Sequence, residues 1–233
     1  MTPIVAVIPT RFNISYLLNL LPSLTDTRMI YIMDNGLDKD SLSLLQQELL
    51  SEPSINDAMI IHCPELSIYQ MWNLGWDAAI KDFGPKVHIA FLNDDIYFLP
   101  DTLSKLSQYL EQNMDVGAIC PDYERAVKLG TASGLMLERT TSTFGHKGLA
   151  GFAFMVKGHL PVRVDWNLRW WYGDDDLVKE IEKLNLKVAK LIGLPVDHYQ
   201  GTSYNYIRDE LERQIELDRQ YFNKKYGENR QRW

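Results

Sequence analysis

Short apolar runs alternate with stretches of helical periodicity over the first half of the chain. Ile4 to Ile8 is an apolar, β-rich run ended by Pro9, and the leucine-rich segment from Tyr16 to Leu24 follows with helical spacing. The unit recurs, with Met29 to Met33 as a strand, Asp34-Asn35-Gly36 as a turn, and Ser41 to Leu50 as a helix with Leu42, Leu45 and Leu49 on one stripe. A third copy joins a strand at Ala58 to His62 to a helix from Ile68 to Lys81. A fourth runs from Val87 to Leu92 through Asn93-Asp94-Asp95 into a helix carrying Leu103, Leu106 and Leu110. This repetition predicts an α/β fold with a mostly parallel, Rossmann-like sheet, right-handed crossovers and flanking helices. In such sheets ligands bind beyond the carboxyl ends of the strands. The polar groups at those ends, Pro9-Thr10-Arg11, Asp34-Asn35-Gly36 and Asn93-Asp94-Asp95, are therefore the first candidates for function.

After a strand at Val116 to Cys120 the alternation loosens. The Gly, Ser and Thr-rich stretch from Gly130 to Gly148 reads as a loop over a site. A strand at Phe152 to Val156, an aromatic segment at Trp166 to Tyr172, a helix from Asp174 to Asn185 and a strand at Lys187 to Ile192 follow. From Tyr206 onward the pattern is that of a charged amphipathic helix and tail.

Composition narrows the class. With 233 residues, 45% of them hydrophobic and 24% charged, one globular unit is expected. The 24 Lys and Arg against 31 Asp and Glu leave a net charge of −7, which works against a polyanionic partner, so nucleic acid is not expected. Cys63 and Cys120 stand far apart without metal-ligand spacing, so neither a disulfide framework nor a zinc site is indicated. The chain opens on an apolar strand with no basic leader and has no run of about 18 apolar residues, from which a soluble, cytoplasmic protein without a transmembrane segment is expected.

Three clusters offer chemistry. Ile89 to Asp95 is an apolar strand that delivers adjacent carboxylates to the ligand-binding edge; such like charges are stabilised when a hard cation such as Mg²⁺ or Mn²⁺ shares the site, although Asp also caps helices. Asp174-Asp175-Asp176 opens a helix behind Trp170-Trp171-Tyr172-Gly173. Simple capping explains one carboxylate there, while a carboxylate beside an aromatic platform also suits a general base toward a hydroxyl. His198 lies in a polar segment after the last apolar strand, where a neutral imidazole could complete a metal shell. His62 and His88 read instead as core or edge residues of strands.

In their order along the chain these motifs resemble the inverting GT-A glycosyltransferases of the family 2 kind, over residues 3 to 205. Ile4 to Arg11 looks like the family's first strand and its Ile-Pro-Thr turn against the nucleotide base. Asp34-Asn35-Gly36 resembles the second-strand motif whose Asp meets base or ribose, and Asn73-Leu74-Gly75 resembles an Asn-x-Gly near the nucleotide. Asn93-Asp94-Asp95 is similar to the DXD-type metal motif, with Asp95 at the cation and Asn in place of the first Asp. Gly151 to Val156 looks like the Gly-rich strand bordering the acceptor. Gly173 to Leu177 resembles Glu-Asp-x-Asp-Leu, with Gly173 in place of the Glu, Asp174 at the base position, and the choice among Asp174, Asp175 and Asp176 left open. His198 and Ser203 match a His-x-x-Gly-x-Ser pattern, and Asp218 to Gly227 looks like the family's common tail.

The resemblance implies a catalytic domain over 1–205 and a helical tail over 206–233. Residues 1–95 form its nucleotide-sugar half and 96–205 its metal and acceptor half. Pro9, Thr10, Arg11, Asp34, Asn73, Asn93 and Asp94 are expected at the nucleotide-sugar donor, with a UDP-sugar favoured. Asp95 and His198 are expected to hold Mn²⁺ or Mg²⁺, Asp174 or Asp175 to act as base, and Gly151, Trp170, Trp171 and Asp176 to face a glycan, protein or other hydroxyl acceptor. Two competing classes are a sugar-phosphate nucleotidyltransferase, whose Gly-rich loop is missing after the first strand, and a non-catalytic carbohydrate-binding protein on the same fold. A dinucleotide-dependent oxidoreductase lacks its G-x-G-x-x-G.

Overall fold

The computed structural model describes residues 2–12, 14–51, 57–122, 134–140, 148–199 and 208–229. Its first half follows the predicted units: β1 (Ile4–Thr10), α1 (Ile14–Leu20), β2 (Met29–Asp34), α2 (Lys39–Ser51), β3 (Ala58–His62), α3 (Ile68–Phe83) and β4 (His88–Leu92). After β5 (Ile96–Phe98) come α4 (Thr102–Gln112), β6 (Val116–Asp122), β7 (Met136–Thr140), β8 (Ala153–Lys157), α5 (Gly173–Lys183), β9 (Lys187–His198) and α6 (Arg208–Tyr226). Most of the expected loop between Gly130 and Gly148 lies outside the described residues; its described part includes β7.

The strands run in the order β3-β2-β1-β4-β8-β6-β9-β5, with β7 on β9. The first four are mutually parallel, β8 is antiparallel to β4 and β6, and β9 returns parallel to β6. Every residue of β1, β4, β6 and β8 is buried, as expected of strands covered on both faces. The period-two pleat divides their side chains: Val5 and Val7 pack with Trp72, Trp76, Phe91 and Phe154, while Ile4, Ala6 and Ile8 pack with Leu17, Leu45, Leu103 and Leu106.

One strand departs from its predicted length. The apolar run suggests an end at Ile192, but β9 continues to His198. The register against β6 jumps from Pro121–Leu191 to Asp122–Pro195, and Gly193, at φ +83, donates its N–H to the Asp122 carboxylate at 3.1 Å. A left-handed residue costs Gly little, so the bulge forms here and lets the strand bend toward β5, where His198 pairs with Ile96. The sheet thereby carries His198 to the end of β4. Among the described residues no helix is long and apolar enough to cross a membrane.

Candidate active site

Backbone contacts bring the ends of β1, β2, β4 and β8 into one rim. The Asn35 N–H donates to the Thr10 carbonyl at 2.8 Å, and the Asn93 N–H to the Phe152 carbonyl at 2.8 Å. The Thr10 hydroxyl donates to the Asp94 carboxylate at 2.7 Å. Burial pushes the Asp94 carboxyl up to about 7; the Thr10 hydrogen bond opposes this, and the neighbouring Asp95 charge adds to it. Arg11 is half-buried, with its guanidinium 4.8 Å from the Phe12 ring centroid. Pro9 is buried in β1.

Asp34, expected at the donor, is held at the turn after β2. It is fully buried; one oxygen accepts the N–H groups of Gly36 (2.9 Å) and Leu37 (2.7 Å), and the other faces His62 Nδ1 at 2.7 Å. Burial alone would raise its pKa, but these hydrogen bonds hold the carboxyl below the usual range. Asp34 thus caps the turn after β2, with both carboxylate oxygens engaged by the turn and by His62.

From Asp95 the site runs through a chain of contacts to the second acidic cluster. Asp95 Oδ1 lies 3.2 Å from His198 Nε2, and both side chains are largely buried. The His198 ring stacks on Phe152 at 4.1 Å between centroids with a 20° tilt. Next to Phe152, Gly151 abuts Asp174 so closely that a Cβ there would stand 2.7 Å from Asp174 Oδ2. A carboxylate, an imidazole and a further carboxylate therefore share one rim, and Asp174 and Asp175 are each half-buried at the start of α5.

The donor set fits a hard cation only in part. Asp95 and His198 supply one oxygen-bearing and one nitrogen ligand, and among the described residues no group of three or more His, Cys, Asp or Glu side chains forms a complete cage. Mg²⁺ and Mn²⁺ suit such an open arrangement because they keep positions for water and phosphate oxygens.

The absent Glu before Asp174 has a structural counterpart. A Cβ on Gly173 would fall inside the ring of Tyr69, which rises from α3 into that space. Tyr69 is buried, its pKa is raised well above the ordinary tyrosine value, first by burial and then by Asp174, Asp218 and Asp175, and its oxygen accepts the Gly173 N–H. Sequence reading missed Tyr69; the glycine in an acidic motif was the one signal that a bulky neighbour fills the position.

Two of the expected site residues are engaged in contacts within the fold. Asp176 is fully buried and accepts Lys225 Nζ (2.6 Å), the Tyr226 hydroxyl (2.7 Å) and the Asp165 N–H (2.8 Å), so it has no surface to offer an acceptor. Asn73 spends its amide on the Val164 backbone, donating to the carbonyl at 2.8 Å and accepting from the N–H at 3.1 Å. Gly75 in the same motif lets α3 sit on β1, since a Cβ would approach Val7 to 2.5 Å. The Asn73-Leu74-Gly75 string thus packs α3 against the Val164 backbone and β1. Trp171 is exposed and Trp170 half-buried beside the rim segment. Ser203 lies outside the described residues. A separate cleft of about 190 Å³, lined by residues including His88, Lys157 and His159, sits at the opposite end of β4.

The family described as Glycosyl transferase family 2 matches residues 5–154 of the 233. Three solved structures share the fold. S. aureus TarS 1-349 matches with TM-score 0.58 and 14% identity, covering 82% of this chain and 58% of that one. GalNAc-T7 with UDP, GalNAc and Mn²⁺ matches with TM-score 0.64 and 14% identity, covering 85% and 44%. The mannosyltransferase PcManGT from Pyrobaculum calidifontis, in complex with GDP-Man and Mn²⁺, matches with TM-score 0.62 and 12% identity, covering 100% and 66%. The chain thus spans less than two thirds of the length of each of these structures. The search of curated proteins gave no match. The mixed sheet, with its acidic turn after β4, is the GT-A fold, and the chain belongs to Glycosyl transferase family 2.

Proposed function

We propose that this chain catalyses transfer of a sugar from a nucleotide diphosphate donor, with a UDP-sugar favoured, to an acceptor hydroxyl with inversion. The observation that carries this reading is the contact chain from Asp95 through His198, Phe152 and Gly151 to Asp174. It supports a cation-binding pair and a base on either side of one strand start. The neighbours solved with UDP or GDP-Man and Mn²⁺ support a nucleotide-sugar donor and a divalent cation.

Asp95 and His198 would hold Mn²⁺ or Mg²⁺. A cation there supplies charge neutralisation for the diphosphate as it leaves. Thr10 and Asp94 form the floor of the donor side, and Arg11 and Asn93 flank it. Asp174 accepts the proton of the acceptor hydroxyl as that oxygen attacks the anomeric carbon on the face opposite the diphosphate; attack from that side inverts configuration. Asp175 is the neighbouring alternative for the same role. Gly151 keeps the Asp174 carboxylate in reach by having no side chain, and Trp170 and Trp171 offer apolar faces to the acceptor.

The test begins with a thermal-shift screen of UDP- and GDP-sugars with and without Mn²⁺, since a ligand bound by the native state alone raises its stability. Asp174→Asn should then leave donor binding within about twofold while lowering transfer by about 10²- to 10⁴-fold, the usual contribution of a general base. Full transfer by Asp174→Asn would move the role to Asp175. Release of pyrophosphate from a nucleoside triphosphate, in place of nucleoside diphosphate release, would overturn the reading.

A further inference from the structure

The C-terminal helix α6 is too polar to dock by apolar burial alone. Its buried residues are Leu211, Asp218 and Phe222. Asp218 has 1% of its surface exposed, and its carboxylate accepts three consecutive backbone N–H groups: Arg169 at 3.2 Å, Trp170 at 2.7 Å and Trp171 at 2.8 Å. Gln214 Nε2 donates to the same carboxylate at 2.7 Å. Such a group is strongly committed, because charge-assisted hydrogen bonds are about twice as strong as neutral ones and a buried carboxylate without donors is costly.

The caged segment leads directly into a strained turn. Tyr172 adopts φ +67, which a bulky residue rarely occupies, and its buried ring stacks on Phe222 at 5.2 Å. Two residues later stands Asp174. On the far side of that turn Lys225 and Tyr226 bind Asp176, and before it, at the start of the segment, the Tyr221 hydroxyl binds Asp165 at 2.9 Å. Asp218, Tyr221, Phe222, Lys225 and Tyr226 recur three and four residues apart, so one face of α6 grips the segment from Asp165 to Asp176 at both ends and in the middle.

We propose that Asp218 is a positioning residue, through which α6 holds the Trp170–Trp171 backbone and the Tyr172 turn so that Asp174 faces the acceptor. This rests on the glycosyl-transfer reading above. Without the carboxylate three N–H groups lose their acceptor, the turn relaxes from its left-handed conformation, and the base drifts from Gly151. The donor side, built on strand ends that α6 does not grip through this network, stays intact.

Asp218→Asn keeps the shape of the side chain but replaces one acceptor oxygen with a donor. We expect amide hydrogen exchange of residues 169–171 to accelerate at least about tenfold while β1 and β4 remain protected. Donor binding, measured with the nucleotide sugar and Mn²⁺ selected by the screen, should stay within about twofold while kcat for transfer to water or acceptor falls about tenfold or more. Gln214→Leu, which removes only the side-chain donor to Asp218, should give the same split at about threefold. Leu211→Ala serves as the structural control: it should lower thermal stability without separating donor binding from kcat. Unchanged exchange at 169–171 in both Asp218→Asn and Gln214→Leu, or a loss of kcat that tracks stability as in Leu211→Ala, would overturn the proposal. If the wild-type protein turns over no nucleotide sugar, the reading of the reaction fails, while the exchange measurement still decides whether Asp218 holds the segment.

Discussion

The two sides of the rim are held by different means. On the donor side, Thr10, Asn93 and Asp94 sit at the ends of fully buried parallel strands, and short backbone hydrogen bonds between neighbouring strands fix them. On the acceptor side, the segment from Asp165 to Asp176 contains no strand, and it is held by α6, whose Asp218 carboxylate accepts its backbone N–H groups and whose Lys225 binds its buried Asp176. Sheet ends are positioned by a cooperative ladder and tolerate the loss of one side chain. A segment fixed by a few side chains depends on each of them.

The largest effect that sharpens this contrast should come from Asp95→Ala. It should abolish the Mn²⁺-dependent part of donor binding and lower transfer by about 10³-fold, while leaving the exchange of residues 169–171 unchanged. Isothermal titration with and without EDTA measures the first effect. An equal loss of binding in Asp174→Asn would erase the proposed division of labour.

Next comes the pH dependence carried by Asp94. Its pKa is raised from 3.8 to about 7 in the folded protein, so the stability it contributes is full below about pH 4 and is lost as pH rises through about 7. In chelator the wild type should lose up to about 4 kcal/mol between pH 4 and 8 relative to Asp94→Asn, and saturating Mn²⁺ should flatten the difference. Denaturation midpoints across that range give the slope; identical slopes for the two proteins would contradict the raised value.

On the acceptor side, Gly173→Ala should destabilise by roughly 1–3 kcal/mol, because the new methyl group has to displace the buried Tyr69 ring. The smallest effect expected is that of Asn73→Ala, about 1 kcal/mol from the lost bonds to Val164, with donor affinity unchanged. A large drop in donor affinity would return Asn73 to the nucleotide.

The same division explains what could be read from the sequence. Strands β1, β2 and β4 are visible because burial on both faces leaves continuous apolar runs, the edge strand β3 because its run Ala58–His62 is still mostly apolar, and the strand-end polar groups follow from the topology. Asp95 and His198 were named, but their meeting depends on the Gly193 bulge, which no periodicity announces. Asp34, Asn73 and Asp176 stand out by motif, which specifies residue type and order, whereas the contacts they make are set by partners distant in sequence: His62 for Asp34, Val164 for Asn73, and Lys225 with Tyr226 for Asp176. Strand β5 has only three residues, too few to show an alternation, β7 carries the polar Glu138, Arg139 and Thr140 rather than an apolar run, and both are specified by pairing with β9.

Strand β9 has a further implication. Because it is a single run of backbone from the interior to the rim, the imidazole at its tip cannot be retuned independently of the protein's centre. Deleting one residue between Ile192 and Val196 would turn every later side chain to the opposite face and aim His198 away from Asp95. Length is thus more tightly constrained in those few residues than chemical identity, and natural variation there should take the form of substitution rather than insertion or loss.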